Sequence, residues 1–301
     1  MSQLVKESKP HKLRVVRPSD EKRKPPFYVT REEELALRIA ADRIDPALVI
    51  TRATSFDEYV RQLMIPTTVM EMSRKADDLR FASWEVESIR ASLADGILKK
   101  ILREKKKLDN SHPPYIRVAC TGKGDYDDLA QEHLSARYGL FMTAEEQEHE
   151  GDYGSPVILE IWPAKHYSPI HSHGDTTGII YCLTGQIDVM VYEKLAWDSK
   201  QAGLLTLTPG QCAWLTKDRF AVHKVYCPMA EGNFAATFHV YLNEDELPLV
   251  RMTAPKPHTR DIFMYIDEKP PHKKKKFTTY SDLSWRILRK EMAQYAAQNG
   301  M

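Results

Sequence analysis

Between residues 156 and 242 the sequence divides into eight short runs of apolar and β-branched residues, and this division constrains the fold more than any other feature. The runs are 156–162, 168–173, 178–183, 187–192, 204–208, 212–215, 220–226 and 234–242, with Gly, Pro or polar turn residues between them. Runs this short are strand-sized, and strands packed this densely along a chain close into an antiparallel barrel or jelly roll. The expected fold is therefore mainly β. A further strand is expected at 115–120, and the acidic stretch 122–150 reads as a helical insertion whose best part is 127–138.

The flanks have a different texture. Residues 1–29 are rich in Lys, Arg and Pro without steady periodicity and read as a flexible basic arm; Glu7, Asp20 and Glu21 argue against a transit peptide. Residues 30–110 read as a helical layer, with Leu35, Ile39 and Ala40 at helical spacing, a capping box at Ser55 and Glu58, and helices over 67–79 and 83–107. The barrel domain is placed at 111–250. Residues 251–301 read as a basic tail in which Lys273–Lys276 form a solvated linker before a helix at 281–298. The 301 residues carry a formal net charge of +1, so no long-range field gathers nucleic acid or an anionic membrane. No apolar run is long enough to span a bilayer, and the four cysteines form no CxxC pair. A cytoplasmic protein with reduced thiols is expected.

His171-Ser-His173 lies in the second run, and the strand period of two turns both imidazoles to one face with Cα atoms about 6.6 to 6.8 Å apart, within reach of one metal ion. The surrounding text, Pro169-Ile-His-Ser-His-Gly through Thr184-Gly185, resembles the first motif of the cupin superfamily, with Gly178 where a carboxylate usually stands and Gly185 as the closing glycine. Gly203 to Gly210 with His223 resembles the looser second motif. The resemblance implies a double-stranded β-helix with His171, His173 and His223 as metal ligands. Three neutral imidazoles leave a divalent ion its full charge, which favours an anionic substrate atom such as a thiolate.

Thr237-Phe-His-Val-Tyr241 sharpens the likeness, because the cysteine dioxygenase family places Ser, His and Tyr alternately on its last barrel strand. Trp162-Pro163 and His223-Lys-Val225 agree with the same family, and the resemblance spans roughly 114–242. It implies ferrous iron, a small thiol and dioxygen as reactants, and a sulfinic acid as product. Tyr241 would hydrogen-bond the substrate or oxygen, His239 would orient Tyr241, and Thr237 would fix the tautomer of His239. Arg117, in Tyr115-Ile-Arg117, takes the place of the arginine that grips the substrate carboxylate; otherwise a thiol without a carboxylate is the better substrate. Gly178 replaces the cysteine of the animal enzymes, so their cysteine–tyrosine crosslink is absent, and Cys227 stands where the family has Asn. His166 is left out as a ligand and Cys182 is expected to be buried. The alternatives are a cupin lyase or isomerase using zinc, nickel or manganese, and a non-catalytic scaffold that binds partner proteins through its helical extensions.

Overall fold

The computed structural model describes residues 35–41, 81–119, 123–140, 157–174, 176–215, 219–242, 262–278 and 280–301. In chain order the elements are Arg38–Ile39 (β1), Ser83–Asp95 (α1), Ile97–Leu108 (α2), Ile116–Ala119 (β2), Asp127–Tyr138 (α3), Val157–Pro163 (β3), His171–Ser172 (β4), Thr177–Thr184 (β5), Ile187–Tyr192 (β6), Gln201–Leu207 (β7), Cys212–Leu215 (β8), His223–Tyr226 (β9), Phe234–Leu242 (β10), Ile262–Ile266 (β11), Lys274–Thr278 (β12), Leu283–Ser284 (β13) and Trp285–Gln298 (α4). They form a seven-stranded sheet in the order β1-β7-β6-β9-β4-β11-β12 and a six-stranded sheet in the order β13-β2-β3-β10-β5-β8. Within them, β3-β10-β5-β8 and β4-β9-β6-β7 give the strand order of a jelly roll, in which the first barrel strand pairs with the last. The chain is thus mostly β, a cupin-type jelly roll with flanking helices, as the spacing of the runs implies.

Period-two alternation divides each central strand between two cores. Ile180, Cys182, Trp162 and Ala235 point between the sheets and pack with Val189, Leu205, Leu207 and Val225 of the opposite sheet. Their neighbours Ile179, Tyr181, Leu183, Leu159, Ile161 and Phe238 point outward and pack beneath the helices with Ile97, Leu98, Ile101, Ile287, Leu288 and Met292. Burial on both faces explains why these strands read as nearly continuous apolar runs. Gly185 closes the β5–β6 turn at φ +73°, and a Cβ there would lie 2.5 Å from the Phe234 carbonyl oxygen. Only glycine meets both conditions without strain.

Several expectations change. The helix expected over 83–107 is two, α1 and α2, which meet at Gly96 in extended conformation; the Ser92 hydroxyl accepts the Leu98 amide at 3.2 Å across the break. Residues Arg38–Ile39 pair in parallel with β7 rather than continuing a helix. The largest difference is at the C-terminal end, where β11 and β12 extend the seven-stranded sheet and β13 joins the six-stranded one. Lys274, Lys275 and Lys276, expected in a solvated linker, are exposed on β12 at the sheet edge. Charge suits such an edge because lysines discourage pairing with further strands. The segments read at 1–29, 42–80 and 243–261, including the capping box at Ser55 and the helix at 67–79, lie outside the described residues. Among the described residues, no helix is long and apolar enough to cross a membrane.

Candidate metal centre and its cavity

β4 and β9 are antiparallel neighbours, and their register sets His171 directly opposite His223. His173 follows β4 and turns back to the same face. The ligand-capable nitrogens of the three lie within 4.8 Å of one another, and all three residues are buried. His171 Nδ1 is 3.0 Å from the Pro169 carbonyl oxygen, and His223 Nδ1 is 3.1 Å from that of Phe220. A carbonyl only accepts, so both Nδ1 atoms carry the proton and both Nε2 atoms offer a lone pair. Burial, reinforced by the neighbouring His173, pushes the His171 pKa down to about 3, and burial beside the other two imidazoles lowers His223 well below its ordinary value. Neutral, pre-oriented imidazoles of this kind fit a divalent transition metal. The three histidines thus form a cluster that could hold a metal ion within the barrel.

On the facing sheet, Thr237, His239 and Tyr241 occupy one face of β10, as their alternation requires. Trp162 Nε1 donates to Thr237 Oγ1 at 2.8 Å, Thr237 Oγ1 is 2.7 Å from His239 Nε2, and His239 Nδ1 is 3.2 Å from the Tyr241 hydroxyl. The Tyr241 ring stacks on His173 with centroids 4.8 Å apart, so the chain of contacts ends against the histidine cluster. Gly178 pairs directly with Tyr241, and a Cβ there would already touch the phenol ring, 3.4 Å from Tyr241 Cδ1, and Leu215 at 3.5 Å.

Glu160 is the residue that the sequence reading missed. It faces Arg117 on β2 and Thr237 on β10 across the sheet. Its carboxylate meets Arg117 Nη1 at 3.0 Å through one oxygen and His239 Nε2 at 3.0 Å through the other. Burial raises its pKa, but the charges of His239 and Arg117 outweigh that and hold it down to about 2. An ionised carboxylate only accepts, so His239 carries its proton on Nε2. Glu160 therefore shares with Thr237 the task of fixing that tautomer. With Nε2 turned to Glu160 and Thr237, Nδ1 is the ring atom that meets the Tyr241 hydroxyl. The available signal was a lone acid in the apolar text Val157-Ile-Leu-Glu-Ile-Trp162, matched by a lone base in Tyr115-Ile-Arg-Val-Ala119.

Arg117 does reach the cavity. Its Nε donates to the Tyr280 carbonyl at 3.1 Å, and its backbone N–H donates to Asp282 Oδ2 at 2.7 Å. Lys105 also binds Asp282, at 2.7 Å. The cavity has a volume of about 330 Å³, at the small end of small-molecule sites. Tyr115 stacked on Trp162 forms one wall, at 3.9 Å between centroids. Phe263 of β11 forms another, 5.1 Å from both His171 and His173, backed by Phe277 of β12. The C-terminal segment thus encloses a site whose histidine cluster comes from the barrel. His166 binds the Pro114 carbonyl outside the histidine cluster. Cys182 is buried between the sheets, which pushes its thiol up to about 12.

No family model matches the chain, and no curated protein matches it. Solved structures are similar over a limited region. An oxalate oxidase in complex with the substrate analogue glycolate is 15% identical at a TM-score of 0.24, covering 28% of this chain and 40% of its own. The DMSP lyase DddQ from Ruegeria pomeroyi DSS-3 is 13% identical at a TM-score of 0.23, covering 30% and 39%. CENP-C of Drosophila melanogaster bound to CAL1 is 7% identical at 0.25, covering 32% and 66%. The chain therefore spans well under half the length of the two enzymes, and similarity of this extent assigns no activity.

Proposed function

We propose that the chain is an iron-dependent thiol dioxygenase that converts R–SH and O2 to R–SO2H. The sulfur loses four electrons, dioxygen gains four, and both oxygen atoms enter the product, so no other reductant is needed. The observation that carries this reading is the placement of three buried, clustered imidazoles against a phenol whose orientation is fixed by a buried His239–Glu160–Arg117 array. Ferrous iron held by His171, His173 and His223 would supply the redox chemistry and a divalent charge that favours the thiolate over the thiol.

The residues of the chain supply the rest. Tyr241 offers a neutral hydroxyl beside the histidines, suited to hydrogen-bonding a polar atom of the reactants. His239, held by Glu160 and Thr237, keeps that hydroxyl in place. The Phe263, Trp162 and Tyr115 walls keep the cavity largely apolar, which limits water and strengthens each polar contact inside it.

Anaerobic reconstitution of the full chain with Fe(II), Zn(II), Mn(II) or Ni(II), followed by metal analysis and oxygen-electrode assays over a thiol panel, tests the proposal. Oxygen uptake that requires both iron and thiol, with one O2 consumed per sulfinate, is expected. His171→Ala should abolish stoichiometric metal binding. An iron-loaded protein that consumes no oxygen with any thiol defeats the reading and leaves Lewis-acid chemistry with another ion as the better account.

A further inference from the structure

We infer that the substrate is an aminothiol without a free carboxylate, a 2-aminoethanethiol unit whose carboxylate is missing or blocked as an amide. This rests on the thiol reading above and deepens it through the charge pairing in the cavity. Two cationic side chains, Lys105 and Arg117, line the cavity, and each already has an acidic partner within the chain. Arg117 is 2% exposed and Glu160 3% exposed, so their pair is sealed from water and unavailable for exchange with a small anion at little cost. Lys105 is held against Asp282, which is itself completely buried and also holds the backbone of Arg117.

The wall as a whole is acidic. Asp109, Asp125 and Glu160 line it beside Lys105 and Arg117, and with the partners Asp282 and Lys269 included four carboxylates stand against three cations. A free carboxylate that entered beside Arg117 would lie close to Glu160, and like charges at such distances in a partly buried site repel strongly. An ammonium placed toward Asp125, away from Arg117, is attracted instead. The aromatic lining already draws one cation, since Lys105 Nζ lies 5.4 Å from the Tyr115 ring centre and 5.0 Å from that of Tyr280, and Trp162 and Phe263 add further ring surface to the wall. Arg117 Nη2, buried and without a hydrogen-bond partner, leaves one donor for an uncharged acceptor such as an amide carbonyl. Glu160 thereby sets specificity as well as positioning His239.

The test compares cysteamine, cysteine amide, cysteine and 3-mercaptopropionate on the iron-loaded full chain. Binding is read by anaerobic isothermal titration calorimetry and turnover by oxygen uptake. Cysteamine or cysteine amide should bind at least about tenfold more tightly than 3-mercaptopropionate, with kcat/KM in the same order, a modest ratio for a like-charge contact in a shielded site. Preference for cysteamine over the amide, or the reverse, separates a free amine from a carboxylate-blocked cysteine, and either supports the inference. Glu160→Gln frees the charge of Arg117 and should narrow the gap by improving 3-mercaptopropionate. If that variant does not fold, the ranking in the unaltered protein decides the matter alone. Preferential binding and oxidation of cysteine or 3-mercaptopropionate overturns this inference and leaves the dioxygenase proposal standing. Failure of every thiol to bind or to drive oxygen uptake removes both.

Discussion

At the scale of single residues, the site divides into groups that pattern reveals and groups that only packing reveals. His171, His173, Thr237, His239 and Tyr241 are legible because strand alternation puts each set on one face. His223 needed a family resemblance, since one histidine in a short run has many structural explanations. Glu160 was hidden because a lone acid carries no information about what lies across the sheet, and its meaning appears only with the β2–β3 and β3–β10 registers. The same burial gives it a stability signature. Its pKa in the folded chain, about 2, is below the ordinary 4.5, so its contribution is present above pH 4.5 and is lost as pH falls from there toward 2. That window corresponds to about 3 kcal/mol at full effect. Glu160→Gln should therefore be less stable than the unaltered protein by about 3 kcal/mol at neutral pH, with the gap narrowing as pH falls from 4.5 and closing near pH 2. Urea unfolding of the metal-free protein at a series of pH values measures this; a gap independent of pH would show that Glu160 is not held as an ionised group.

At the scale of elements, the barrel strands were legible and their additions were not. β6, β8 and β10 and the helix α3 fall where the sequence puts them, because apolar runs bounded by Gly and Pro have few other uses. β11 and β12 were missed for a physical reason. β12 is an edge strand, so its exposed positions carry lysine and its text resembles a solvated linker, while its partner β11 is only five residues long. β13 consists of two residues, fixed by the Asp127 carboxylate accepting the Ser284 amide at 2.8 Å and by Gly124 lying against Leu283. A Cβ on Gly124 would be 2.3 Å from Leu283 Cα, so what reads as a plain turn is a point of close backbone approach. Gly124→Ala should push β13 from β2 and cost about 1–3 kcal/mol by urea unfolding. Unchanged stability would mean that the two segments separate freely.

At the scale of the molecule, the helices and the barrel share one core. Met292, Leu288 and Ile287 of α4 are fully buried with Leu159 and Ile161 of β3 and Ile97 and Ile101 of α2. Met292→Ala should therefore cost about 2–5 kcal/mol. The loss should appear in one cooperative transition that tryptophan fluorescence and far-UV circular dichroism report together. A variant in which α4 melts first while the barrel persists would show that the helix is an appendage. The cavity walls from β11 and β12 have a temporal consequence. A ribosome delivers the chain from its amino end, so all three imidazoles emerge well before Phe263 and Phe277 exist to shield them. An ion captured at that stage sits in an open, wet cleft, exposed to chelators and to competing cations. If these histidines hold an ion, its secure retention belongs to the last stage of biogenesis, after translation has passed the final strands.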